Sequence, residues 1–525
     1  MAQFLDIFGF LSVLLRGLAL AFEALTVGGV VFQLGVARQQ RIGRPWLRCA
    51  AALLAITQTC IAGANAAILM GTTDLGLSEV LGADFCRATL LVVAGALATT
   101  VISTRGAGRI AAALGSVSII AGSTMMSHSM ARVEARSLAI VLTLIHHAAG
   151  DAWIGGLPYL LIALRRGEDL AATLSARFSR LAVGSVVALT AAGAGLGWIY
   201  VGSAAAASGT IYGAMLVSKV LLTAGLLLLG FLNFRIVRAV RQGGRAGLLT
   251  LGRFAEAELG IGLTILLVAA SLTSTPPAVD VQAERVTMPE IVERMTPRWP
   301  RLETPALAEL SPPTPLTPPG DSRLPGSFVP GQVQQPNTPA DIAWSEYNHH
   351  WAGLIVLAAG LLAALSYRFR SARHWPLAFF GLAVFLLIRS DSENWPLGPR
   401  GFWESFQVAE VAQHRFFVLL LVAFAVFEWA VRTNRLAPQR AGLVFPLVCA
   451  VGGAVLMTHA HSLGNVKEEF LVELSHMPLS LLAVAAGWSR WLEIRLPTRQ
   501  VRVAASIWPV CLVLIGIVLV LYRES

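Results

Sequence analysis

Charge is scarce in this chain. Only 13% of its 525 residues are Asp, Glu, Lys or Arg, against 55% that are hydrophobic. A soluble core would interleave its apolar runs with amphipathic and polar stretches, and this chain does not. Cysteine is also rare. Cys49, Cys60, Cys86, Cys449 and Cys511 are scattered and form no CxxC, which excludes a disulfide framework or a zinc knuckle read from spacing. There is no CxxCH for covalent haem, no Walker motif for ATP, and no nucleophile elbow or zinc-protease motif. No Lys or Arg precedes Arg16 and no small-residue cleavage site ends a short apolar core, so the first segment reads as a retained helix rather than a signal peptide.

What the chain has is apolar runs of about 20 residues from end to end, the length that crosses a bilayer as a helix. The expected fold is all-α: a polytopic transmembrane helical bundle of about fourteen spans in an eight-plus-six arrangement. The predicted spans are 6–36, 48–70, 86–103, 108–127, 137–164, 179–202, 211–234 and 253–273, then 350–367, 375–390, 405–431, 441–458, 468–489 and 503–522. The net charge of +10 comes almost wholly from arginine in short loops, which is a topology signal and not a nucleic-acid patch. Those arginines fall after odd-numbered spans, as in Arg38, Arg41, Arg44 and Arg48, or Arg432, Arg435 and Arg440. The positive-inside rule places these loops in the cytoplasm and both termini outside. The partition expected is an eight-span domain over 1–273, an outer proline-rich loop over 274–346, and a six-span domain over 347–525. The loop holds 15 of the 25 prolines and reads as extended or irregular.

Ionisable groups concentrate on one side. "MTHAHSLGNVKEEFLVELSH" (457–476) holds three histidines and three glutamates between apolar helices. On the expected topology His128, His349, His350, His459 and His461 map to the outer boundary. His146, His147, His414 and His476 map about 15 Å deep along inward-going spans, and only His374 maps to the cytoplasmic side. Glu410, Glu473 and Asp151 stand three or four residues from His414, His476 and His147, on the same helix faces. Ionisable groups inside a bilayer are costly and face the protein interior or water, and helical bundles build metal sites from such His/carboxylate sets. The outer histidines read as a capture site and the deeper His/acid groups as a second site. Met125, Met126, Met130 and Met457 add thioethers suited to Cu(I), or ordinary gap-fillers. Glu23 and Lys219 lie within spans and read as partners of other buried groups. "SH" at 127–128 followed by His146 and His147 parallels "TH" at 458–459 followed by His476, which suggests a distant internal duplication.

The stretch "HHAAGDAWIGGLPYL" (146–160) resembles the copper-resistance D family, in which an intramembrane His precedes Trp-x-Gly-Gly-Leu, here Trp153, Gly155, Gly156 and Leu157. The resemblance continues through 177–195, 212–230 and 253–277 and covers about the first 280 residues. "WSEYNHHWAGL" and "SENWPLGPRGFWESF" look like the extra C-terminal membrane region of longer members. The resemblance implies copper handling at a bacterial inner membrane, with a periplasmic copper-binding partner. No such domain is recognisable within this chain, which leaves a separate partner protein or none. Two alternatives stay open at this point: a b-type haem electron carrier with His414 and His476 as axial ligands, and a metal-dependent membrane enzyme or assembly factor.

Overall fold

The computed structural model describes residues 2–38, 40–73, 75–101, 106–241, 247–281, 285–310, 338–407, 409–457, 466–497 and 501–524. Its regular elements in these segments are helices joined by turns and loops, and it divides into two compact units, Gly9–Ala283 and Met1–Phe8 with Glu284–Ser525.

The first unit is built from α1 (Ala2–Val31) from Gly9 onward, extended by a π-turn over Phe32–Ala37, then α2 (Arg44–Thr72), α3 (Asp84–Thr100), α4 (Ala107–Met125) and α5 (Arg136–Ile154). It continues with α6 (Leu157–Ala163), α7 (Glu168–Val201), α8 (Ile211–Arg241) and α9 (Leu248–Leu272). The apolar stretches of α1 and α9 each have 61% of their residues buried, against 11% for α7. So α1 and α9 form the centre of this unit, and α7 presents its side chains outward. The break between α5 and α6 is written in the sequence. Gly155 and Gly156 interrupt the helix and Pro158 restarts it in the first turn of α6, where its missing N–H costs nothing.

The second unit has a short helix, α10 (Met288–Met295), inside the segment expected to be irregular. It is followed by α11 (Pro339–Leu365), α12 (Ala378–Arg389), α13 (Ala409–Arg432), α14 (Val444–Leu456), α15 (Val466–Arg495) and α16 (Val501–Val520). Glycines let α11 and α16 touch backbone to backbone: a Cβ on Gly353 would stand 2.6 Å from Val520 N, and one on Gly516 would stand 2.5 Å from Leu357 Cα. Small residues at such crossings replace the hydrophobic drive that lipid does not supply. At one end of the unit the buried rings of Trp375, Phe445 and Trp508 pack together. Beside them, the Arg432–Glu428 and Arg490–Glu493 pairs (2.6 Å each) hold buried charge in closed contacts.

Twelve helices among the described residues are long and apolar enough to cross a membrane. The two other predicted spans, 86–103 and 441–458, coincide with α3 and α14, of 17 and 13 residues. At 1.5 Å rise, thirteen residues reach about 20 Å, short of a bilayer core of about 30 Å. The predicted start at residue 350 shifts as well. The helix begins at Pro339, because Thr338 and Asp341 form a capping box with proline in the first turn. His349 and His350 therefore lie in the middle of α11 and not at its first turn.

Candidate functional site

In the first unit, α1 and α5 approach so closely that a Cβ on Gly155 would sit 1.7 Å from Ala24 O, and one on Gly28 would sit 2.3 Å from Asp151 O. That approach carries Glu23 of α1 into α5. Glu23 is 3% exposed, and its two carboxylate oxygens are used separately. Oε1 accepts from His147 Nδ1 at 3.1 Å and Oε2 accepts from Ser123 Oγ at 2.5 Å. A carboxylate on Nδ1 fixes the imidazole tautomer and leaves Nε2 as the lone-pair nitrogen, the outer-shell arrangement found around metal-binding histidines. One turn further along α5, Asp151 is buried with Oδ2 lacking a hydrogen-bond partner. His146 Nδ1 is likewise buried and unpartnered; the His146 ring faces Gly193 of α7, and Lys219 of α8 is among its charged neighbours. Buried polar atoms are normally satisfied, so these two on α5 depart from the usual pattern.

His128 lies outside the spans, on the short helix His128–Ala131. Its ring packs edge-on to Tyr200 (6.2 Å between centroids), and Nε2 is buried without a partner. Burial pushes its pKa below the ordinary imidazole value, which disfavours the protonated ring. Met126 Sδ accepts from Gln58 Nε2 at 3.1 Å, a contact within the fold.

In the second unit, His349 of α11 stacks on Tyr522 (3.8 Å between centroids, 19° between planes), and His476 of α15 stands edge-on to both rings, at 6.3 and 6.0 Å. Glu473, on the turn before His476, is buried. His350 differs from its neighbour, because both of its nitrogens are occupied by backbone. Nδ1 accepts from Arg301 N at 2.7 Å and Nε2–H donates to Tyr522 O at 2.8 Å. It ties the segment after α10 to the end of α16. His414 is the sixth residue of α13, nearer the helix start than the depth predicted for it, and contacts Asp391 at 3.0 Å. Burial alone would raise the Asp391 carboxyl, but the hydrogen bond and charge of His414, with Ser390 and Arg415, hold it below the usual range. His414 and His476 thus have separate immediate surroundings. Glu410 has no described side chain, and His459 and His461 lie outside the described residues. Among the described residues, no three His, Cys, Asp or Glu side chains converge as a metal cage.

Sequence spacing missed Ser123, Asp391 and Tyr522. Glu23 was visible as an acid within a span but had no partner assigned. The only available signal was that an acid in so apolar a run needs one.

The fold and these buried His/acid contacts define a polytopic helical membrane protein. Residues 172–272 match the family profile described as copper resistance protein D. A stretch of 149 residues is 29% identical to the copper transport protein CutJ of Bacillus subtilis (strain 168), covering 27% of this chain and 26% of that protein. The alignment thus spans about a quarter of the relative's length. No solved structure matches the chain. The chain is a polytopic membrane protein that is similar to copper resistance protein D over residues 172–272.

Proposed function

We propose that this protein carries copper across the bacterial inner membrane, taking it up at the outer side and passing it inward through the His147–Glu23–Asp151 group. The observation that carries the reading is the Glu23–His147 contact within the stretch that bears the family-like motif. Glu23 orients the imidazole through Nδ1, and His147 Nε2 and Asp151 Oδ2 are the atoms an ion would meet. His128, outside the spans and with its Nε2 unpartnered, receives the ion first. A site that must release what it binds needs few ligands. Asp151 can take up a proton as the ion leaves. The arginine-rich loops lie in the cytoplasm, the segment 274–346 lies outside, and a separate periplasmic copper-binding protein delivers the metal. The relatives' names, copper resistance protein D and copper transport protein, support copper as the cargo.

The test is copper accumulation in cells expressing matched levels of inserted protein. Glu23→Gln keeps the shape and one acceptor oxygen but loses the charge that orients His147; it should lower the uptake rate roughly 10-fold or more, the range seen when outer-shell partners of metal-binding histidines are removed. His147→Ala should match it, and His374→Ala should leave uptake unchanged. Wild-type rates in both Glu23→Gln and His147→Ala would refute the route.

A further inference from the structure

The second unit lies outside the matched family region, yet it holds a pair of histidines prepared in the same way. His349 Nδ1–H donates to Ser345 O at 2.9 Å, and His476 Nδ1–H donates to Val472 O at 2.8 Å. A carbonyl oxygen only accepts, so each Nδ1 carries the proton and each Nε2 carries the lone pair. Both bonds run to the residue four positions earlier on the ring's own helix, which leaves each Nε2 at the end of the ring away from that helix. The rings come from different helices, α11 and α15, and stand 6.3 Å apart with planes at 86°. With metal–nitrogen bonds of about 2 Å, and about 1.2 Å from ring centre to nitrogen, two imidazoles sharing one ion stand roughly 6.4 Å apart. Perpendicular planes are allowed about a straight nitrogen–metal–nitrogen axis. We propose that His349 and His476 form a two-coordinate Cu(I) site through their Nε2 atoms.

The surroundings favour that ion over its competitors. Zinc takes four ligands and Cu(II) a tetragonal set, and no third or fourth ligand of the His, Cys, Asp or Glu type converges here among the described residues. A closed-shell monovalent ion is satisfied by two. Both rings are half-buried, so an ion can reach them. Tyr522 is buried and holds the plane of His349 by stacking; its hydroxyl donates to Glu524 Oε2 at 2.8 Å. Arg294 lies over the Tyr522 ring at 5.6 Å, and the Glu524 carboxylate offsets its charge. His350 positions this assembly by fixing the Tyr522 carbonyl and the Arg301 backbone. The identity of the ion rests on the copper reading above, whereas the pairing of the rings does not.

The experiment titrates the purified full chain in detergent with Cu(I), kept reduced by ascorbate without oxygen, against a chromogenic Cu(I) chelator. X-ray absorption is recorded on the loaded protein. His349→Ala and His476→Ala should each bind one Cu(I) fewer per chain than wild type, and the near-edge feature of two-coordinate Cu(I) should shrink in both. His476→Cys supplies a thiolate and should restore the lost equivalent, which separates ligand loss from misfolding. Unchanged stoichiometry in both alanine variants, or failure of the cysteine variant to recover binding while its melting temperature stays at the wild-type value, would overturn the site. Glu23→Gln and His147→Ala, titrated in parallel, keep the two readings apart. If they leave uptake intact while the His349/His476 equivalent is still lost on substitution, the transport route fails and this site stands.

Discussion

His128 shows what a single ring contributes. It lies between two spans with Nε2 buried, and burial lowers its pKa, with Arg16 acting in the same direction and Asp280 against it. In the unfolded chain the ring would titrate near about 6.5. Between that value and its lower folded pKa the unfolded chain binds the proton and the folded one resists it. The ring therefore costs the fold stability as pH drops below about 6.5. NMR titration of the folded protein, with the resonance assigned through His128→Gln, should give a midpoint below 6.5; a midpoint at or above it would remove the claim that the ring is poised as a neutral ligand in mild acid. Asp391 illustrates the opposite sense, a carboxyl kept ionised by His414 despite burial. Its contribution is present above the ordinary carboxylate pKa and fades as pH falls through the folded value.

At the scale of elements, the crossing of α1 and α5 decides whether Glu23 meets His147. Gly155 is the closest point, and a methyl group there would lie 1.7 Å from the Ala24 carbonyl oxygen. No rotamer relieves a clash of Cβ with backbone, so the helices must separate. Gly155→Ala should lower stability by at least about 1–3 kcal/mol, the usual penalty of overpacking. It should also cut copper uptake by moving Glu23 away from the ring. Gly184 in α7 is the control, since a Cβ there meets nothing within 4 Å. Gly184→Ala should be neutral or stabilising by up to about 1 kcal/mol through helix propensity. Thermal unfolding in detergent compares the two, and equal melting temperatures would contradict the tight crossing.

At the scale of the whole molecule, the expected orientation rests on where the arginines fall. Arg373 precedes α12 on a loop expected inside, and Trp299, 97% exposed, follows α10 on the segment expected outside. With the five native cysteines replaced, Trp299→Cys should react with a membrane-impermeant thiol reagent in intact cells, and Arg373→Cys should react only after permeabilisation. The reverse pattern would invert the topology and with it the direction in which His128 could receive an ion.

The sequence by itself determined the helical membrane class, because apolar runs of bilayer length admit little else and the arginine-bearing loops between them are explicit. It placed His146, His147 and His476 about ten residues into their helices, but it read 137–164 as one span and did not foresee the break at Gly155–Gly156. It also placed Asp151 and Glu473 beside histidines, because spacings of three and four share a helix face. Only the tertiary structure decided which residues meet across helices. Glu23 reaches His147 from 124 residues away, and His349 comes to face His476. Spacing along one helix carries no record of the glycine contacts that bring two helices together. His349 and His350 are adjacent and alike in the sequence, yet one leaves its Nε2 for a ligand and the other spends both nitrogens on backbone. The helix turns successive side chains by about 100°, and only the packing around α11 determines what each one finds.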